Sequence, residues 1–183
     1  MELMGRDAGW LTLNAGIGSG ADIILIPEIP YDINKITEAI ERRRKRGSAF
    51  SIIAVAEGAK SIDDQVLSEE ESRRRREESK HSTISYEIAD HIEKTLGREA
   101  RVTIPGHYQR GGPPCPYDRV LATRFGTAAA ELIVNRNYGR MVAMQNGEIV
   151  SIPLEEAASK TKFLPPDHPL IQVARDIGIS FGD

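Results

Sequence analysis

The sequence predicts an α/β fold: a mostly parallel sheet flanked by helices in a three-layer α/β/α arrangement. Short apolar runs alternate along the chain with segments of helical periodicity. Several runs, such as 23–26 and 52–56, are apolar throughout, which suits strands buried on both faces. Strand–helix alternation of this kind calls for helices covering a parallel sheet.

Residues 8–18 read as a first helix, and the glycines at 16, 18 and 20 as its end. They do not read as a dinucleotide loop, because the helix comes before them and the strand after. Residues 22–27 read as a strand. In 32–46, Ile33, Ile36 and Ile40 share one helical face and the stretch 41–46 is wholly charged. Residues 50–56 form the next strand. In 83–96, Ile84, Ile88, Ile92 and Leu96 recur every four residues, and Gly97 offers a C-terminal stop. Residues 100–105 read as a strand and 117–135 as a helix. Strands at 140–145 and 148–152 flank Asn146-Gly147, a hairpin signal. Residues 169–177 form the last helix. Residues 68–80 are densely charged, with Glu69, Glu70 and Glu71 each four residues before Arg73, Arg74 and Arg75. That order favours a solvated helix; a regulatory or partner-binding insertion is the alternative.

Composition excludes several classes. The 24 basic and 27 acidic residues give a net charge of −3, which argues against a general nucleic-acid binder. Aromatic residues are few, so stacking platforms are scarce. No apolar run approaches the roughly 20 residues needed to cross a bilayer. The single cysteine, Cys115, permits no intrachain disulfide, and a cytoplasmic protein is the expectation. Histidine and cysteine show no metal-ligand spacing.

Chemistry concentrates at three places. Met4-Gly5-Arg6 precedes the first helix. Glu57 follows the strand at 50–56. Arg101, His107, Tyr108, Gln109 and Arg110 lie along and beyond the strand at 100–105. Ligands of open α/β sheets bind at strand ends. Arginines donate bidentate hydrogen bonds to phosphate, and a carboxylate accepts from hydroxyls. The set suits an anionic, hydroxyl-rich ligand such as a sugar phosphate. Glu57 could instead sit near a neighbouring helix N-terminus. In an extended chain, at about 3.3 Å per residue, Arg101 would lie about 20 Å from His107. One ligand phosphate could not then easily be held by both Arg101 and Arg110 of one subunit.

The ordered set of Met4-Gly5-Arg6, a strand-end Glu57, the run from Arg101 to Gly112 and Pro116-Tyr117-Asp118-Arg119 resembles the C-terminal half of a 6-phosphofructokinase. The ending, 167–170 and 178–183, is similar to that of longer members. The resemblance implies fructose 6-phosphate binding by Met4, Gly5, Arg6, Glu57, His107, Tyr108, Gln109 and Arg110. It implies that Arg6 also stabilises the transferring phosphoryl group, and that Arg101 serves a neighbouring subunit, hence a homo-oligomer (dimer or tetramer). It divides the chain into a sugar-phosphate domain at 1–112, a segment at 113–160 that completes an N-terminal donor domain, and a helix and tail at 161–183. Asp22 and Arg46 keep part of a bacterial effector-site pattern, while Ser48 and Ala49 replace its lysines. The family's Gly-Gly-Asp-Gly donor loop and Thr-Ile-Asp-Asn-Asp base segment do not occur here. Magnesium and the donor, ATP or pyrophosphate, are therefore expected to bind the complete enzyme through a missing half. This chain alone is expected to be inactive. The alternative is a stand-alone, non-catalytic sugar-phosphate-binding subunit.

Overall fold

The computed structural model describes residues 1–64, 71, 83–158 and 161–183. The charged segment at 68–80 therefore lies, but for one residue, outside the described residues. The chain forms two compact units, one of residues 1–109 with 163–183, the other of residues 110–162.

The first unit is built on a parallel sheet. Its strands are β1 (Glu2–Leu3), β2 (Ile23–Leu25) and β3 (Ile53–Ala56), in the order β1-β3-β2. β1 registers Leu3 against Ala56, and β2 registers Leu25 against Val55. A parallel bridge from Ile23 to Ser180 adds the returning C-terminal segment beside β2. Side chains of a strand alternate between faces. Ile23 and Leu25 pack with Ile36, Ala39, Ile88 and Ile92, whereas Ile24 and Ile26 pack with Leu13, Ile171 and Phe181. Both faces are dry, which is why the run is apolar throughout. The four isoleucines and leucines of 23–26 are each 0% exposed, and each such burial stabilises by roughly 1.5–3 kcal/mol.

Helix α1 (Trp10–Ser19) covers one face. It ends at Gly20, whose φ of 70° lets its N–H reach the carbonyls of Gly16 and Ile17. Gly16 itself serves packing. A Cβ there would stand 2.6 Å from Ile24 Cδ1, so its absence lets the helix sit close on β2. Helices α2 (Ile33–Lys45) and α3 (Ile84–Leu96) cover the other face. The Asp32 side chain caps α2 by accepting from Asn34 N–H at 2.8 Å. Gly97, at φ 61°, ends α3 as its sequence position suggested. The buried Glu2 carboxylate accepts from Ser85 N–H at the start of α3, at 3.2 Å.

One expected strand is absent. Residues 100–105 join no ladder; the Thr103 carbonyl accepts a single bond from Glu2 N–H at 2.9 Å. The neighbour, β1, is two residues long, and Pro105 has no N–H to give. β1 itself was not legible, because two residues carry no periodicity.

In the second unit, helix α4 (Pro116–Val134) accompanies the hairpin β4 (Arg140–Gln145) and β5 (Glu148–Pro153), followed by α5 (Leu154–Ala158). Asn146 and Gly147 have φ of 51° and 85°, the left-handed pair that matches strand twist. No residue of α4 is buried, and Tyr117, Val120, Ile133 and Val134 are exposed. Helix α6 (Pro169–Asp176) belongs to the first unit, with Ile171 and Ala174 in its core.

Candidate functional site

The end of β1 carries a turn of unusual backbone. Gly5 has φ 148° and Arg6 has φ 50°, a left-handed value for a residue with a side chain. Such a conformation persists only where its surroundings hold it. Here Glu57, one residue beyond the neighbouring strand β3, supplies the hold. Its Oε1 accepts from Gly5 N–H at 3.1 Å and from Arg6 N–H at 2.8 Å. Bonds to an ionised carboxylate are the stronger kind. Glu57 is itself fixed by its own N–H, which donates to the Leu3 carbonyl at 2.9 Å. Gly58 completes the fit from behind: a Cβ there would lie 2.0 Å from the Arg6 carbonyl oxygen.

A third segment closes on the same place. Residues Gly106–Arg110 form a 3-10 turn. Gln109 reaches from it to Met4, accepting from Met4 N–H through Oε1 at 3.2 Å, while its Nε2 donates to the Gly106 carbonyl at 3.2 Å. Gln109 and Met4 are half-buried, whereas Arg6, Glu57, His107 and Tyr108 are exposed. The structure thus gathers Met4, Gly5, Arg6, Glu57 and Gln109 by direct hydrogen bonds, and His107 and Tyr108 by the turn they share with Gln109. Arg110, the last residue of that turn, is exposed and opens the second unit. One exposed carboxylate and an arginine beside adjoining strand ends, with a histidine on the 3-10 turn, can hold a ligand with hydroxyls and negative charge.

The α1 end of the site is anchored by Glu28, which sequence reasoning did not single out. Gly9 N–H donates to both Glu28 oxygens, at 2.9 and 3.1 Å, and Leu164 N–H donates to Oε1 at 2.9 Å. A carboxylate bridging three segments had no local signature. Gly58 was missed for the same reason, since its role depends on a carbonyl 52 residues earlier.

Arg101 stands apart. It is exposed and pairs through Nε with Glu99 Oε1 at 2.9 Å. That hydrogen bond holds the Glu99 carboxyl below its ordinary range and raises the Arg101 guanidinium. Arg101 and Arg98 line a cleft of about 620 Å³ beside α2 and α3, together with Arg44, Ser48 and Phe50. Asp22 is committed to the fold. Its Oδ1 pairs with Arg43 Nη2 at 2.8 Å, and its Oδ2 accepts from Ile52 N–H at 2.8 Å. Arg46, the other residue that keeps part of the effector-site pattern, is the C-cap of α2. Among the described residues, no group of three or more His, Cys, Asp or Glu could hold a metal ion. No described helix is long and apolar enough to cross a membrane.

Comparison with known proteins decides the family. Residues 1–133 match the family described as phosphofructokinase. The chain belongs to the phosphofructokinase family. It is 57% identical over 183 residues to an ATP-dependent 6-phosphofructokinase of Spirochaeta thermophila, covering 100% of this chain and 50% of that protein. The phosphofructokinase of Pichia pastoris in its T-state superposes with a TM-score of 0.67 at 32% identity, covering 97% of this chain and 17% of the other. A pyrophosphate-dependent phosphofructokinase of Marinobacter aquaeolei gives a TM-score of 0.70 at 22% identity, covering 98% and 43%, and bears on the fold alone. The α/β, phosphofructokinase-like fold expected from the sequence is the fold observed. This phosphofructokinase chain spans about half the length of the curated relatives it matches.

Proposed function

We propose that this chain is the fructose 6-phosphate-binding, C-terminal part of a 6-phosphofructokinase. The complete enzyme transfers a phosphoryl group to the 1-hydroxyl, giving fructose 1,6-bisphosphate in glycolysis. The observation that carries the reading is the left-handed Gly5-Arg6 turn held by Glu57, with Gln109 of the turn that bears His107 bonded to Met4. Oε1 of Glu57 serves the protein backbone, and its carboxylate retains acceptor capacity for sugar hydroxyls. His107 and Arg110 take the 6-phosphate, with Met4 and Tyr108 beside them. Arg6 faces charge that develops on the transferring group. Arg101, exposed and remote from any bond to this cluster, reaches the sugar phosphate of a neighbouring subunit in a dimer or tetramer.

Phosphoryl transfer also needs a donor cradle, magnesium and a base for the attacking hydroxyl. Magnesium supplies charge neutralisation on the donor phosphates. The described residues do not fit it, so no step here passes through it. The ATP-dependent relatives, about twice as long, favour ATP as donor, held by a second half. The exposed apolar residues of α4 fit a segment that completes that donor domain. The reading places the enzyme in the cytoplasm.

Titration calorimetry with fructose 6-phosphate tests the site in the enzyme that carries this chain. A hydrogen bond to a charged group is worth about 1.5–3 kcal/mol, so Arg110→Ala should weaken binding roughly tenfold or more. An unchanged affinity defeats the assignment.

A further inference from the structure

The sugar-phosphate reading counts Gln109 among the ligand contacts, yet its amide is engaged within the protein at both ends. Its oxygen takes Met4 N–H and its nitrogen gives to the Gly106 carbonyl. We propose that Gln109 is a positioning residue, a latch that sets the turn bearing His107 against the Met4-Gly5-Arg6 turn. This deepens the proposed function and rests on it.

Three observations support the latch. The two turns are 105 residues apart in sequence, so their spacing is set by a tertiary contact. Glu57 holds Gly5 and Arg6 but does not reach residues 106–110 in any observed bond. Among the described residues, the backbone bond between these segments runs from Glu2 N–H to the Thr103 carbonyl, upstream of Pro105. Among the described residues, Gln109 is therefore the side chain whose hydrogen bonds directly join the Met4 turn to the 3-10 turn. Its half-burial, against the exposure of His107, Tyr108 and Arg110, fits an inward role. An amide suits the task, because it accepts and donates at once without a charge.

Amide-resolved hydrogen exchange and fructose 6-phosphate calorimetry on the same enzyme test this. Gln109→Met keeps the volume and removes both hydrogen-bonding functions. Met4 exchange should rise about fivefold or more, as expected for the loss of one net hydrogen bond, while Gly5 and Arg6, held by Glu57, stay protected. Fructose 6-phosphate affinity should fall by a similar factor. Gln109→Glu keeps an acceptor for Met4 N–H and should restore Met4 protection. Unchanged Met4 exchange in Gln109→Met overturns the latch. So does a fall in affinity with Met4 protection intact, which places Gln109 on the ligand. So does raised exchange with unchanged affinity, which leaves the tie without a positioning role. Arg110→Ala, measured alongside, separates the two ideas. If it leaves affinity unchanged, the sugar-phosphate reading fails, and the exchange data alone still decide whether Gln109 ties the turns.

Discussion

Replacing Gly58 by alanine adds one methyl group at the most constrained point of the site. The new Cβ would lie 2.0 Å from the Arg6 carbonyl oxygen and 2.9 Å from its carbon. Contacts under 3.0 Å essentially never occur for real Cβ atoms, so one segment must retreat by about 1 Å. Neither segment is free to move. Arg6 is held by its 2.8 Å bond to Glu57, and Ala59, next to Gly58, is buried with its N–H bonded to the Ala56 carbonyl. Overpacking of this kind costs about 1–3 kcal/mol. For a chain of this size each kcal/mol lowers the melting temperature by about 2–4 °C, so the drop should fall between about 2 and 12 °C. Fructose 6-phosphate affinity should fall too, because the Arg6 turn shifts. Gly18→Ala is the control: nothing lies within 4 Å of its Cβ, and inside a helix the change should stabilise by about 0.5–1 kcal/mol. The reasoning is refuted if Gly58→Ala leaves both melting temperature and affinity unchanged.

Other predictions follow from the same geometry. An Arg101→Ala subunit mixed with an Arg110→Ala subunit should regain activity in hybrids of the complete enzyme; hybrids that form without recovery refute action across the interface. The purified 183-residue chain should make no fructose 1,6-bisphosphate with magnesium and either ATP or pyrophosphate; turnover that Arg110→Ala abolishes would refute this. The Asp183 carboxyl is held below its ordinary value mainly by the Arg175 hydrogen bond, at 2.9 Å from Nη1. A depressed carboxyl stabilises above its unfolded pKa, so this contribution is present above about pH 4 and is lost as pH falls through the folded value. Both groups are partly exposed, so screening limits it to about 1 kcal/mol or less. Asp183→Asn should flatten the acid limb of melting temperature against pH; an unchanged limb excludes the pair as its source.

The elements were legible wherever a segment was long enough to show a period. Ile36, Ile88 and Ile92 face the sheet as their spacing requires, and Asn146-Gly147 makes its turn because both residues accept positive φ. The apolar run 23–26 foretold burial on both faces. The candidate site was legible as a set of residue types, and the family resemblance drew Met4, Gly5, Arg6, Glu57, His107 and Arg110 into one group. Only the folded chain decided how they are held. β1 is two residues long and carries no pattern of its own; it exists because β3 is there to pair with it. Thr103 and its neighbours have strand composition, but an edge with a two-residue partner and a proline supports one bond rather than a ladder. Asp22 is bound to Arg43 because the end of α2 comes to lie against it. Gly58, Glu28 and Gln109 act on groups 52, 19 and 105 residues away. Sequence patterns record the local periods that bury a face. Contacts between distant segments have no period, so their meaning appears only once the sheet has brought the segments together.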